Sequence, residues 1–584
     1  MNSFSLETHL RLSASQLELM VDAEGRTHFD VFRTLPAAAL RDWPDFVDLP
    51  SRYWEACAMV ESVVGRPVAT VHLLRQGIFS LIHADGLAYR PDTAISSPIA
   101  ELYDQSRLLY ALVTWSMHEP DNAEIKARLR AQVDGLRRLA TFKGDYAYIN
   151  KIGIYFGGTL IRPLQQAGIV LADSHCRDFA RALARGILDH TDKYAADGSF
   201  SGQVNSRMDA LAGILVTGLL DDDNRIIRRV RDVFEYAHAK IGTSFGWVPE
   251  VAQRQDDLTG CETCGIQTTL DVALLLARHV DENCWDAVER TVRNQLVENQ
   301  IGDRDWLDFT PIIPDEDIRE SCLNTLHTDL GRRIAGGFAG WSSPQGLLAY
   351  EETLWPGWVK NSDMYPRYLG RVRAMQNCCS GSGPRALWEA WTNIARFEGK
   401  TLIVNMLIDK QIQGAKVLSS IPFEGKARIE LDRDCDVRFR IPGSAPADSL
   451  VVLVESKARQ YRASPEKKGR FLSIGGMLAG DSIEIRFAQP PRIENFTIGN
   501  PGCKKYQFEA SWLGDTVVAM KPDPKNSKTG YSFIEGRQVR TFYSTNAIGK
   551  LYQRQSWLKP QQKVVPSPTT LDRQQIDWYS LKRR

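Results

Sequence analysis

No run of about 18 consecutive apolar residues occurs in the chain, so no segment is suited to span a bilayer as a helix. A secretory leader is not expected either: Met1 to Leu19 carries Glu7, His9, Arg11 and Glu18 where an unbroken apolar core would be needed. The expected compartment is the cytoplasm. An excess of either charge is lacking, with Lys+Arg 72 against Asp+Glu 71, so neither nucleic acid nor an anionic membrane is an expected partner. The basic end (Lys559, Lys563, Lys582, Arg583, Arg584) reads as a solvated tail. Neither G-x-x-x-x-G-K-S/T nor G-x-G-x-x-G occurs, which removes support for nucleotide use. The ten histidines form no His-x-His or His-x-x-x-His pair, and His118 and His327 read as structural. Ten cysteines in 584 residues are too few to staple a fold with disulfides.

What is present is an ordinary globular composition, 43% hydrophobic and 24% charged, in a chain too long for one core. Two or three domains follow. From about residue 95 to 400, apolar residues recur at helical spacing in antiparallel pairs. The first pair is Ile99–His118, with Leu102, Leu108, Leu109, Leu112, Val113 and Trp115, and a partner ending near Leu139. Further pairs are Ile152–Gly168 with Cys176–Tyr194, Asp209–Leu220 with Asn224–Ile241, and Cys264–Val280 with Cys284–Ile301. Their linkers carry helix-start residues such as Asp173-Ser174 and Asp221 to Asp223. Without a fixed repeat length, a closed barrel is favoured over a solenoid. The loop-rich stretch 302–383, with Gly336-Gly337 and Gly340, suits the rim of an active site.

After Gly399 the pattern changes to short β-branched or alternating segments: Thr401–Leu407, Ala427–Leu431, Val437–Ile441, Leu450–Glu455, Phe471–Ile474 and Ser482–Phe487. The expected fold is therefore mainly α plus β, an (α/α)6-type helical barrel followed by a β-sandwich. The expected divisions are 1–95, a segment packing on the barrel; 96–400, the barrel; 401–520, the sandwich; and 521–584, an extended tail. Oligomeric state is open, with a homodimer compatible with the sequence.

The cysteines are unevenly spread. Gly260-Cys261-Glu262-Thr263-Cys264 and Asn377-Cys378-Cys379-Ser380-Gly381-Ser382-Gly383 both stand just before helices, whose N-terminal dipoles favour thiolates and anionic ligands. Glu262, Cys264, Cys378 and Cys379 supply one oxygen and three sulfurs, a set that zinc accepts tetrahedrally. A structural four-cysteine site using Cys261 in place of Glu262, unliganded buried thiols, and a redox dithiol remain as alternatives.

The strings Cys261-Glu262-Thr263-Cys264, Glu289-Arg290 with Asn294, Gly336 to Trp341, Asn377-Cys378-Cys379, Ile421 to Gly425 and Gly480 to Ile483 make residues of about 150–490 resemble the β-L-arabinofuranosidase family of glycoside hydrolases. That resemblance implies a retaining exo-glycoside hydrolase acting on a terminal sugar of an oligosaccharide or glycoside. It implies a zinc-bound thiolate nucleophile at Cys378, and Glu262, Cys264 and Cys379 as the other ligands. The acid/base falls to Glu250, with Asp256 and Asp257 as rivals, and Trp247 beside it as an apolar wall. Sugar contacts fall to Gln203 and Asn205, where family members carry histidines, to Trp247 itself, and to Glu289, whose other reading is a helix salt bridge. Two competing functions stand beside this one. The first is a non-catalytic zinc-containing carbohydrate-binding or scaffold protein. The second is a sugar lyase or dehydratase, in which Arg207, Arg332 and Arg333 would read a carboxylate.

Overall fold

The computed structural model describes residues 4–34, 37–92, 97–149, 158–253, 260–302, 333–340, 342, 344, 374–376, 378–457, 459–498, 505–521, 532–534, 537–539, 579 and 581. Asp256, Asp257, His327, Arg332, Trp341 and Asn377 lie outside them, as does most of the expected rim and tail.

Helical periodicity translates directly into helices. They are α1 (Leu6–Leu19), α2 (Asp48–Val64), α3 (Val71–Phe79), α4 (Leu102–His118), α5 (Ala123–Leu139), α6 (Ile161–Val170), α7 (Ser174–His190), α8 (Val204–Leu220), α9 (Asn224–Glu235), α10 (Thr263–His279), α11 (Cys284–Thr291) and α12 (Ser382–Ile394). All six apolar residues singled out on α4 are buried. The anticipated start signals are genuine caps: Asp173 accepts from the His175 N–H, and Asp223 from those of Arg225 and Ile226. Two helices end by widening into a π turn, α9 through Tyr236–Lys240 and α11 through Val292–Leu296.

Packing closes a ring. Helix α2 packs on α4, α4 on α6, α6 on α8, α8 on α10, α10 on α12, and α12 returns to α2. Outside it, α1 covers α2 and α12, α3 covers α2, α5 covers α4, α7 covers α6 and α8, α9 covers α8 and α10, and α11 covers α10. The (α/α)6 expectation holds, with one correction to its boundary. The segment 1–95 does not merely pack on the barrel; its three helices are members of it, and α2 is an inner stave. Because an outer helix runs back after each inner one from α2 to α10, the N-termini of these inner helices gather at one end of the barrel.

The sandwich begins earlier than expected, at Ala395. One sheet has six strands in the order Lys410–Ile412, Ala415–Ser419, Lys426–Leu431, Ser482–Arg486, Val451–Glu455, Gln460–Arg462. The other has five: Glu466–Lys468, Phe471–Met477, Cys435–Arg440, Thr401–Val404, Ala395–Glu398. Burial alternates along Lys426–Leu431, as a strand with one face on the core requires. Residues 491–521 are not part of the sandwich. They form a separate three-stranded sheet, Pro491–Ile498, Tyr506–Leu513 and Thr516–Lys521. This sheet braces the loop leading to Glu250, with Phe245 edge-on to Phe496 at 5.1 Å and Ser244 Oγ donating to the Glu494 carboxylate at 2.8 Å. Of the tail, Tyr579 is buried and lies over the guanidinium groups of Arg162 and Arg278, a wrap rather than a loose end at that point.

A buried ion network joins barrel to sandwich, and it accounts for Glu289. One carboxylate oxygen accepts from Arg293 Nε at 2.7 Å; the other accepts from Arg440, a sandwich residue that also binds Asp286 and the Asn405 carbonyl. Both oxygens are thus taken, and Glu289 is 1% exposed. Its expected sugar-binding role is corrected to the salt-bridge alternative. Replacing Arg440 with methionine should strand buried carboxylates and destabilise the protein by about 3 kcal/mol, read as a lower urea midpoint; an unchanged midpoint would contradict the network's importance.

Candidate active site

Helix α10 starts at Thr263 because the Thr263 hydroxyl is anchored on the Ala339 carbonyl at 2.8 Å and receives the Asn299 amide at 3.0 Å. That start sets Glu262 at the N-cap, yet the carboxylate makes no capping bond. Its oxygens face the site instead: one accepts from Gln203 Nε2 at 3.2 Å, and the other lies 3.7 Å from Cys378 Sγ. One residue into the helix, Cys264 points the same way.

The second string turns sharply just before α12. A 3-10 turn over Cys378–Ser380 bends the backbone tightly enough to bring both adjacent thiols to Cys264. Cys264 and Cys379 sulfurs are 3.1 Å apart, Cys378 and Cys379 sulfurs 3.4 Å. Gly381 follows because a Cβ there would sit 2.6 Å from that of Arg52 on α2. No disulfide forms among these thiols, which are all buried. The three sulfurs lie within 4.8 Å of one another, a spacing suited to sharing one ion. Tetrahedral zinc with Zn–S near 2.3 Å would set its sulfurs about 3.8 Å apart. The donor set therefore fits a thiophilic divalent cation after a slight opening. Cys261 is not in the cluster; it pairs backbone-to-backbone with Ser342, which disfavours the four-cysteine alternative.

The sulfurs are electrostatically unequal. Hydrogen bonds from Cys378 and Cys379, aided by the Arg52 charge, hold Cys264 well below the usual thiol range. The same bonds, given rather than received, push Cys378 up, while burial chiefly raises Cys379. Burial first, then the neighbouring Glu250, lifts Glu262 well above the usual carboxylate range. Glu250 is thus close enough to Glu262 to be felt, and its backbone is fixed by Val204 N–H at 2.8 Å and the Gly260 carbonyl at 2.9 Å.

Gln203 and Asn205 stand at the start of α8, on the same rim. Ser206 Oγ donates to Gln203 Oε1 at 2.8 Å, and Asn205 Nδ2 donates to the Tyr103 hydroxyl at 2.7 Å. Trp247 does not present a face to a ligand. It is 1% exposed and donates Nε1 to the Ser342 carbonyl at 3.2 Å, so the sugar-contact expectation is corrected to a buried prop of the Glu250 loop. Of the arginines offered for carboxylate recognition, Arg207 Nε donates to the Ser201 carbonyl and Arg333 Nε to the Leu19 carbonyl.

Arg52 and Tyr103 were missed by sequence reasoning. A signal existed: Asp48, Arg52 and Glu55 recur at helical spacing in a segment whose remaining residues read as wholly buried, among them Leu49, Tyr53 and Trp54. A polar stripe on a helix buried all round faces a lumen or a site.

Solved structures similar to the chain in fold include glycoside hydrolases. One is a GH127 β-L-arabinofuranosidase from Geobacillus stearothermophilus T6, 14% identical, with a TM-score of 0.53, covering 88% of this chain and 80% of that one. Another, described only as a glycoside hydrolase, is 10% identical with a TM-score of 0.54, covering 80% and 77%. No family profile and no curated protein matches the sequence. At these identities the likeness establishes a shared fold. Among the described residues, no helix is long and apolar enough to cross a membrane.

Proposed function

We propose that this protein is a retaining exo-glycoside hydrolase that attacks a terminal sugar with the Cys378 thiolate and uses Glu250 as acid and base. The observation that carries this reading is the meeting of three sulfurs from two segments far apart in sequence beside Glu262, with the buried carboxyl of Glu250 near enough to act on it electrostatically. Glu262, Cys264, Cys378 and Cys379 would hold a zinc ion. Bound there, zinc keeps thiols ionised at neutral pH and makes a sulfur a better leaving group.

The rest belongs to the chain. Cys378 is the least buried of the three cysteine residues, 6% exposed against 2% for Cys264 and none for Cys379, which favours it as the residue that meets substrate. Its sulfur forms the bond to the anomeric carbon as the aglycone oxygen departs. Glu250 gives that oxygen its proton, then takes one from the water that later displaces the sulfur. Two neighbouring buried carboxyls cannot both ionise cheaply. With Glu262 taken up as a metal ligand, Glu250 is the carboxyl that would serve as acid and base. Gln203 and Asn205 supply neutral donors and acceptors for sugar hydroxyls. The non-catalytic scaffold alternative predicts a sealed centre and no turnover on any glycoside.

The test is a screen of aryl glycosides, furanosides included, with the protein before and after dialysis against a chelator. About one equivalent of zinc per chain is expected. Its removal should abolish turnover and lower the melting temperature, with both restored by added zinc. Turnover that survives complete metal removal would defeat the proposal.

A further inference from the structure

Arg52 has no part in the scheme above, yet it touches the sulfur cluster. Its guanidinium is buried and uses all five N–H donors. Nη1 donates to Cys264 Sγ at 3.1 Å and to Ser382 Oγ at 2.9 Å; Nε and Nη2 donate to the two Asp48 oxygens at 2.5 and 3.3 Å; Nη2 also donates to the Tyr103 hydroxyl at 2.5 Å. These partners come from α2, α4, α10 and α12, so four inner staves fix this one side chain. Three thiolates and a carboxylate would carry four negative charges, two more than a divalent ion supplies. The Asp48–Arg52 pair is a buried dipole with its positive end on Cys264.

We infer that Arg52 is a positioning residue for the metal-binding set: through Cys264 it balances part of the excess charge and fixes that sulfur as a spectator, leaving Cys378 to react. The inference rests on the function proposed above and adds to it an outer partner that determines which sulfur is held. Ligand-orienting groups of this kind typically contribute 10- to 100-fold in metal affinity. A lysine cannot reproduce the planar fork that binds sulfur, hydroxyl and carboxylate together.

The experiment uses full-length protein stripped of metal and titrated with zinc against a chromophoric chelator, then with cobalt to read the thiolate charge-transfer bands. Because Arg52→Gln alone would leave Asp48 buried without its cation, it is combined with Asp48→Asn; Arg52→Lys is the second variant. Zinc affinity should fall about 10- to 100-fold in the double variant, with shifted cobalt bands, and recover in part with lysine. A metal-free melting temperature near that of the parent would separate this loss from general unfolding. Affinity within twofold of the parent and superimposable cobalt spectra in both variants would overturn the role of Arg52 alone. A parent protein that takes up neither metal would overturn the proposed function along with it.

Discussion

Replacing Cys378 with alanine is expected to reduce turnover of a cleavable aryl glycoside by about four orders of magnitude or more, because losing a covalent nucleophile removes the reaction path itself. The same change should leave the fold largely intact, since the residue contributes one small side chain to a barrel closed by many other packed helices. Cys379→Ala and Cys264→Ala also delete a sulfur from the cluster, so activity alone would not separate them from Cys378→Ala. The distinguishing measurement is mass spectrometry of protein quenched during turnover. The sugar should be recovered on the peptide holding Cys378 in the parent and on no peptide in Cys378→Ala. Normal turnover by Cys378→Ala, or a sugar adduct on a different residue, would rule out the assigned nucleophile.

The cysteine strings that meet in the cluster stood out because closely spaced cysteines are rare in a chain with so few, and their positions before helices carried a chemical reason. The helical pairs were legible for the same kind of reason: a 3.6-residue period survives any tertiary context that buries one face. What could not be read was which helices join which ring. Nothing local ties Arg52 to Cys264, 212 residues away, since ring closure between α2 and α12 is a long-range event. Glu289 failed for a related reason. Its decisive partner, Arg440, lies 151 residues downstream in the sandwich. Trp247 illustrates the converse. A large aromatic in a tight loop is as well suited to propping that loop as to stacking on a sugar, and only its burial decides.

Glu250→Gln is expected to separate the two halves of the reaction. Proton donation matters in proportion to how poor the leaving group is, so a glycoside with an unactivated alcohol should lose about 10²- to 10⁴-fold in kcat/KM. One with a strongly acidic phenol needs little help in departing and should lose far less in the step that forms the bond to sulfur. The later attack by water still lacks its base, so with the activated substrate a glycosylated Cys378 should accumulate and a burst of phenol should precede slow turnover. A small anion such as azide, which needs no deprotonation, should then relieve the block and yield a glycosyl azide of retained configuration. Equal losses on both leaving groups, with no burst and no azide effect, would move the acid/base role away from Glu250. The geometry argues against that outcome. The Glu250 backbone is clamped between α8 and the segment leading into α10, its loop is braced from behind by Phe496 and Glu494, and the residue is buried rather than left to wander in solvent.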